Sequence, residues 1–317
     1  MGIFRKHIIG LEMDSKEIRA VEISGGIKNH YVSAWGRINL PDGSVREGKV
    51  ANPDILSCHI EKLIKDNNFR DKNIILGVNN QDIIVRFATF PKVPEDKIRN
   101  MIQLQAEDYI PVPTAELELD YIITGETETE GKKYIHAILV GARKKMINDF
   151  IRSIENAGLR ITNIDSTMLA IGRSALRCSD TGTFAAVGFN HDIGNIMIFR
   201  EGILEFARTI PVSADIFEEK QAELQTDMIA NILLNEMRSS VNYYLSQNSV
   251  EIEKIYVCGT ENIQEAVASQ ISNVTGIEVV ITDPYRYLKI TGSNGTLNFN
   301  ARNFTPCISL ALRGLEE

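Results

Sequence analysis

The chain has little with which to make cross-links, bind metals by motif or hold nucleic acid. Its four cysteines, Cys58, Cys178, Cys258 and Cys307, lie far apart and form no CxxC pair. They read as scattered reduced thiols rather than as a disulfide framework or a zinc site. His7, His30, His59, His136 and His191 show neither HxxxH nor HExxH spacing, whereas a zinc centre needs three or four converging ligands. Positive charge is the minority, with 34 Lys and Arg against 42 Asp and Glu, a net charge of −8. An acidic chain without a basic stripe is poorly made for phosphate backbones, which excludes nucleic acid as the expected partner. No run approaches the roughly 20 apolar residues of a membrane span. The start, Met1 to His7, is short and basic, without the apolar region or small-residue cleavage site of a secretory signal. Lys6 stands where an N-myristoylation signal needs Ser or Thr.

What is present is a long alternation of strand and helix signals. The 317 residues suffice for two ordinary domains of about 150 residues each. Ile8 to Met13 is an apolar strand; Glu17 to Ser24 and His30 to Leu40 alternate in period two around Gly25-Gly26, the pattern of a hairpin. Pro53 to Lys65 has amphipathic-helix spacing, and Asn73 to Val78 is a short apolar strand. A different module follows. A strand at Ile83 to Phe90 leads to a helix from Pro94 to about Tyr109, with Ile98, Met101, Ile102, Leu104 and Ala106 expected on one face and Pro111 and Pro113 as its stop. Strands at Leu117 to Gly125 and Lys133 to Gly141 flank an acidic stretch, Glu126 to Glu130, read as a solvated hairpin tip. A helix at Arg143 to Ala157, a strand at Arg160 to Asp165 and a helix at Thr167 to Arg177 come next.

Then the opening pattern returns. Phe184 to Asn190 is an apolar strand, and Asn195 to Arg200 and Ile203 to Thr209 form a hairpin around Glu201-Gly202. A long helix runs from about Ile216 to Gln247, followed by a strand at Lys254 to Cys258, a helix at Asn262 to Val274, a strand at Glu278 to Thr282 and a closing helix at Phe304 to Leu315. The expectation is a duplicated α/β fold: a first half at 1–82 and 160–180, an inserted small α/β subdomain at 83–159, and a second half at 181–317. Two such halves would face each other across a cleft, with a hairpin turn entering from each side, where phosphates can sit between backbone turns.

This duplicated pattern resembles the actin-like, ribonuclease H-like ATPase superfamily. The insertion narrows the resemblance. "QAEDYIPVP" at Gln105 to Pro113, after "IIVRFATFP" at Ile83 to Pro91, is similar to the signature of PilM proteins of type IV pilus assembly. "EMRSSVNYY" at Glu236 to Tyr244 and "SLALRGL" at Ser309 to Leu315 resemble that family's second-half helix and C-terminal ending. Each string alone is weak; their order along the whole chain is specific.

The resemblance implies an ATP or ADP cleft with Mg, and the loops depart from it. Actin-like folds hold the nucleotide with two turns, each offering an Asp, a Gly and small hydroxyl residues; the Gly lets phosphates approach the backbone. "GLEMDSKEIRAVEI" at Gly10 to Ile23 aligns without gaps to a pattern like "GIDIGSSSIKAVEL". Glu12 takes the Asp position and is the weak candidate for the metal, Asp14 takes the Gly position, Ser15 matches, Glu17 takes a hydroxyl position, and Arg19 takes that of a basic residue facing the phosphates. In the second loop Gly188 replaces the Asp and Asn190 the Gly; Asp192-Ile193-Gly194 would restore an Asp-x-Gly only with a shortened turn. Gly259-Thr260 stands for a glycine run beside the adenosine, and Glu236 and Arg238 lie on the helix that lines the adenosine pocket in such folds. Asp165 is either a group that positions a water or, in the preferred reading, a residue that holds the strand-to-helix turn.

The resemblance therefore implies a cytoplasmic scaffold at the inner face of the bacterial membrane. It would bind the N-terminal peptide of a PilN-like inner-membrane protein in a groove between the first half and the insert, and work with other pilus assembly proteins. It would touch the membrane only through partners, and a homodimer is left open. Its phosphate site is degenerate, and weak ATPase activity is the most expected of it. Two other readings compete: an ATP-dependent switch in pilus or type II secretion machinery, and a polymerising relative like FtsA. The latter should carry an amphipathic C-terminal helix, and "LRGLEE" is not one.

Overall fold

The computed structural model describes residues 6–26, 29–180, 182–212, 222–248, 250–261, 263–286, 288–291 and 299–316. The chain opens with three antiparallel strands, β1 (Lys6–Met13), β2 (Glu17–Gly26) and β3 (Asn29–Asn39), followed by a two-strand hairpin, β4 (Val45–Arg46) and β5 (Lys49–Val50). Helix α1 (Pro53–Asp66) starts on Asn52, whose side chain accepts from Ile55 N at 3.1 Å, with proline at the first helical position. Strand β6 (Asn73–Val78) runs parallel to β1.

The next segment builds its own three-stranded sheet, in the order β7-β9-β8, from β7 (Ile83–Pro91), β8 (Leu117–Thr129) and β9 (Lys132–Arg143), with α2 (Glu95–Gln105) packed on it. Helix α3 (Lys144–Asn156) leads to β10 (Arg160–Ser166), which pairs with β6, and on to α4 (Thr167–Cys178). The remaining strands are β11 (Thr183–Phe189), β12 (Ile193–Arg200), β13 (Ile203–Pro211), β14 (Lys254–Cys258), β15 (Glu278–Ile281) and β16 (Lys289–Ile290). The helices are α5 (Ala222–Gln247), α6 (Gln264–Thr275) and α7 (Thr305–Glu316).

Two sheets repeat one topology. In each, the first three strands are antiparallel and two further strands add in parallel beside the first: β3-β2-β1-β6-β10, with β16 added at the edge, and β13-β12-β11-β14-β15. Strands covered on both faces should be apolar throughout, and all seven residues of β11 are buried. α1 and α3 cover one face of the first sheet, and α5 and α6 one face of the second. Between the sheets lie α7, packed on Ile8, Val21 and Ile75, and α4, packed on Phe184, Ala186 and Met197. The hairpin turns β1–β2 and β11–β12 thus come to the same end of the molecule and meet.

Several expectations need correction. Glu126 to Thr129 is strand, not a loop tip. The turn is the two residues Glu130 and Gly131, with φ of 53° and 74°, and Glu128 pairs with Lys133 across the ladder, so opposite charges and a turn with both φ positive extend the hairpin. Leu104 is exposed, while Ile98 and Ile102 are buried; at about 100° per residue Leu104 falls on the far side of α2 from Ile102. The helix expected from Ile216 is described from Ala222, and residues 216–221 lie outside the described residues, as does Asn262. The β4–β5 hairpin was not anticipated, although Glu47-Gly48 between Val45 and Val50 is a two-residue turn signal.

Candidate functional site

The two central turns are built alike. Asp14 N donates to Glu17 O at 3.0 Å, and Asp14 Oδ1 accepts from Lys16 N at 2.9 Å and Glu17 N at 3.0 Å. Asn190 N donates to Ile193 O at 3.0 Å, and Asn190 Oδ1 accepts from Asp192 N at 3.0 Å and Ile193 N at 2.8 Å. Side chains of Asp and Asn fold back on their own turn in this way because they are short enough to reach amides two and three residues on. Pairing of Met13 with Ile18, and of Phe189 with Gly194, closes the two hairpins in equivalent register. Asp14 and Asn190 therefore correspond, as do Glu12 and Gly188.

The turns are also joined to each other. Asp192 Oδ2, from the second sheet, accepts from Ser15 N at 2.7 Å and from Gly48 N at 3.1 Å. Gly48 has φ of 69°, and a Cβ there would stand 2.1 Å from the Asn79 carbonyl oxygen, so the β4–β5 turn admits glycine alone in this place. Asn80 Nδ2 donates to Gly48 O at 2.9 Å and steadies it. Asn79 Nδ2 donates to Asn195 Oδ1 at 2.9 Å, a second buried link between the sheets, and His191 Nδ1 lies 2.9 Å from Asp14 Oδ2, a third.

Under the turns is a buried ionic cluster. The Arg19 guanidinium lies 3.2 Å from Glu12 Oε1, 3.5 Å from Asp14 Oδ2 and 3.5 Å from Glu17 Oε1. Charges taken out of water persist only when paired, and one guanidinium with one imidazole serves three carboxylates here. Burial by itself would raise the Asp14 carboxyl. The His191 hydrogen bond and charge, then Arg19 and the Lys16 amide, overcome it and hold the carboxyl down to about 2. Burial would lower the His191 imidazole, but the hydrogen bond and charge of Asp14 raise it on balance. Glu12 is pushed up by burial against the pull of Arg19, with the Asp14 and Glu17 charges adding to the rise. Asp192 is also pushed up by burial, opposed by its hydrogen bonds from Ser15 and Gly48.

The remaining expected site residues are placed as follows. Gly188 is within β11 with Ile171 packed over it. Gly259 and Thr260 follow β14, and the Phe189 ring lies so close to Gly259 that a Cβ there would be 2.3 Å from it. Glu236 turns toward β13, with Arg208 Nη2 at 2.9 Å, and Arg238 is exposed. Asp165 Oδ2 lies 2.6 Å from Arg173 Nη2 and 2.8 Å from Arg313 Nη1, and its Oδ1 accepts from Ser166 N at 2.8 Å. It joins β10 to α4 and α7. The structure brings Glu12, Asp14, Ser15, Arg19, Asn190 and Gly259 together, pairs Glu236 and Asp165 with other residues and leaves Arg238 exposed.

The turns themselves offer no vacant seat for a nucleotide phosphate: the convergent amides of Ser15 and Gly48 already hold a carboxylate, and the void between Glu12, Arg19, Asn190 and Gly259 is about 10 Å³, near the lower limit for one water molecule. Beside them a cleft of about 320 Å³ opens, lined by Lys16, Glu17, Arg19, His191, Thr260 and Glu261. A bare cation has a donor set: ligand atoms of Asp14, Glu17 and His191 lie within 4.8 Å of one another. Arg19, 3.5 Å from both carboxylates, supplies the positive charge at that spot. Asp14 is not a bare negative charge at the phosphate turn but a paired, hydrogen-bonded part of it. Sequence reasoning missed His191 as a cleft residue and Gly48 altogether, and it set Asp192 aside because a role for it needed a shortened turn.

Two copies of one five-strand order, with a hairpin turn from each meeting in a central cleft, define the actin-like ATPase fold class. Within it, the chain belongs to the PilM family: the family described as type IV pilus assembly protein PilM matches residues 10–198. The cell division protein FtsA of Bacillus subtilis (strain 168) is 23% identical, over 86% of this chain and 68% of that protein. Among solved structures, the PilM-PilN type IV pilus biogenesis complex matches with a TM-score of 0.84 at 21% identity, covering 98% of this chain and 99% of that one. The cytoplasmic domain of EpsL, an inner membrane component of the type II secretion system of Vibrio cholerae, matches with a TM-score of 0.50 at 11% identity, covering 97% and 95%. Among the described residues, no helix is long and apolar enough to cross a membrane.

Proposed function

We propose that this chain is a scaffold of type IV pilus assembly that binds the N-terminal peptide of a PilN-like inner-membrane protein. The observation that carries the reading is a groove of about 210 Å³ between the inserted sheet and the first half. Leu119, Val140 and Ala142 line it from β8 and β9, and Val78, Ile147 and Ile164 from β6, α3 and β10. Glu118 and Asp120 stand exposed beside it on β8. An extended peptide would seat apolar side chains in this groove and bring basic flanking residues to the two acids, the usual division of labour in peptide grooves. The likeness to the PilM-PilN complex supports the choice of partner. Anchoring through such a partner would hold the scaffold at the inner face of the membrane. The reading requires no hydrolysis.

Titration calorimetry with the N-terminal peptide of the PilN-like protein tests it. Leu119→Asp, which places a charge at the groove wall, should weaken the peptide by about tenfold or more, the equivalent of ~1.4 kcal/mol. Unchanged affinity, with the fold intact by circular dichroism, would move the peptide site elsewhere.

A further inference from the structure

The first turn and the β4–β5 turn aim two backbone amides, Ser15 N and Gly48 N, at one point. Converging amides make an anion site, and here the anion is the chain's own. Asp192 Oδ2 receives both, reaching across 177 residues of sequence to one and 144 to the other. We propose that Asp192 is a built-in anionic ligand that fills the phosphate position of the cleft and holds the two halves closed without a nucleotide.

The surroundings agree with this assignment. The amides of Lys16 and Glu17 are taken by Asp14 Oδ1, and those of Asp192 and Ile193 by Asn190 Oδ1. Protein oxygens thus satisfy these donors from within. Closure is fastened at two more points, the half-buried contact of His191 with Asp14 and the buried one of Asn79 with Asn195. A nucleotide phosphate would have to expel Asp192 and then sit beside Asp14. The cations that would welcome it, Arg19 and His191, are already engaged by carboxylates. In an ordinary cleft of this class the ligand closes the halves; in this chain the second turn carries the ligand covalently. The carboxylate has no binding entropy to lose at each closure, which is the advantage of a preorganised group over a free one.

This inference does not rest on the peptide reading: a failed peptide titration leaves it standing, and the reverse. Its consequence is specific. Deleting the Asp192 carboxylate vacates a formed anion site, whereas Asp192→Asn keeps an oxygen acceptor in place. The test is thermal unfolding and calorimetry of the native chain, Asp192→Ala and Asp192→Asn, with inorganic phosphate and with Mg-ATP as probes. The native chain and Asp192→Asn should show no saturable response. Asp192→Ala should unfold at lower temperature and recover part of the loss with phosphate, which binds at least about tenfold more tightly to it than to the native chain. Phosphate or Mg-ATP binding to the native chain that Asp192→Ala leaves unchanged would overturn the proposal. If Asp192→Ala does not fold, hydrogen exchange on the native chain decides. The Ser15 and Gly48 amides should be protected by about 100-fold or more without any nucleotide, as amides in a closed region are, and exchange at the rate of open turns would refute the closure.

Discussion

The two turns that meet in the cleft have the same backbone hydrogen bonds and opposite roles. In the first, residues 14–17, the capping group is Asp14, a buried carboxylate that also pairs with Arg19 and His191. In the second, residues 190–193, the capping group is the neutral Asn190, and the charged side chains His191 and Asp192 reach outward to the first turn. One turn receives and the other donates the ligand. A duplicated scaffold can therefore be asymmetric in chemistry while symmetric in path, because backbone geometry needs only a short polar cap and leaves the other side chains free.

Substitutions that break this asymmetry should rank by how much buried charge they leave unpaired. Arg19→Leu strands Glu12, Asp14 and Glu17 together and should cost about 3–5 kcal/mol, seen as failure to fold or a large drop in the urea midpoint. Asp14→Gly removes two turn hydrogen bonds and a partner of both cations; about 2–4 kcal/mol of stability should go, with no gain in Mg-ATP binding by calorimetry. A gain would mean that Asp14 is the main block to a phosphate. Asn190→Ala leaves two amides without their acceptor but no charge, and should cost about 1–2 kcal/mol in the same denaturant titration.

The smallest effect is in the pH profile. Asp14 is held below its ordinary 3.8, down to about 2, so its contribution is full above pH 3.8 and falls as pH drops toward 2. His191 is raised above its ordinary 6.5. Its contribution is full below pH 6.5 and is lost as pH rises through the raised value. Urea midpoints of the native chain should decline on both sides, and His191→Gln should flatten the alkaline decline and also reduce the acid one, because His191 does most to hold the Asp14 carboxyl down. An alkaline decline that survives His191→Gln would assign it to another group.

Most of the fold was legible because strand and helix periods repeat along the chain. The equivalence of Asp14 with Asn190 could be read from a gapless alignment, since hairpin length preserves register. The site was only half legible. Glu12, Asp14, Ser15 and Arg19 are local to one hairpin, so their proximity follows from strand pairing. The Asp192 contacts to Ser15 and Gly48 follow only from how two sheets pack, which no local pattern encodes. Glu22 shows the same limit: its carboxylate is fully buried and accepts from Arg70 N and Asp71 N, a role invisible in the alternating run around it. Glu47-Gly48 was a readable turn signal, and its neighbours gave no hint that a carboxylate would dock there.

The most direct test of a scaffold whose cleft closes on its own residues is the affinity of the native chain for the PilN-like N-terminal peptide, measured by calorimetry with and without Mg-ATP. The same affinity is expected in both. A change of about tenfold or more on adding Mg-ATP would show that a nucleotide reaches the cleft and governs the groove, and would contradict closure by the chain's own residues.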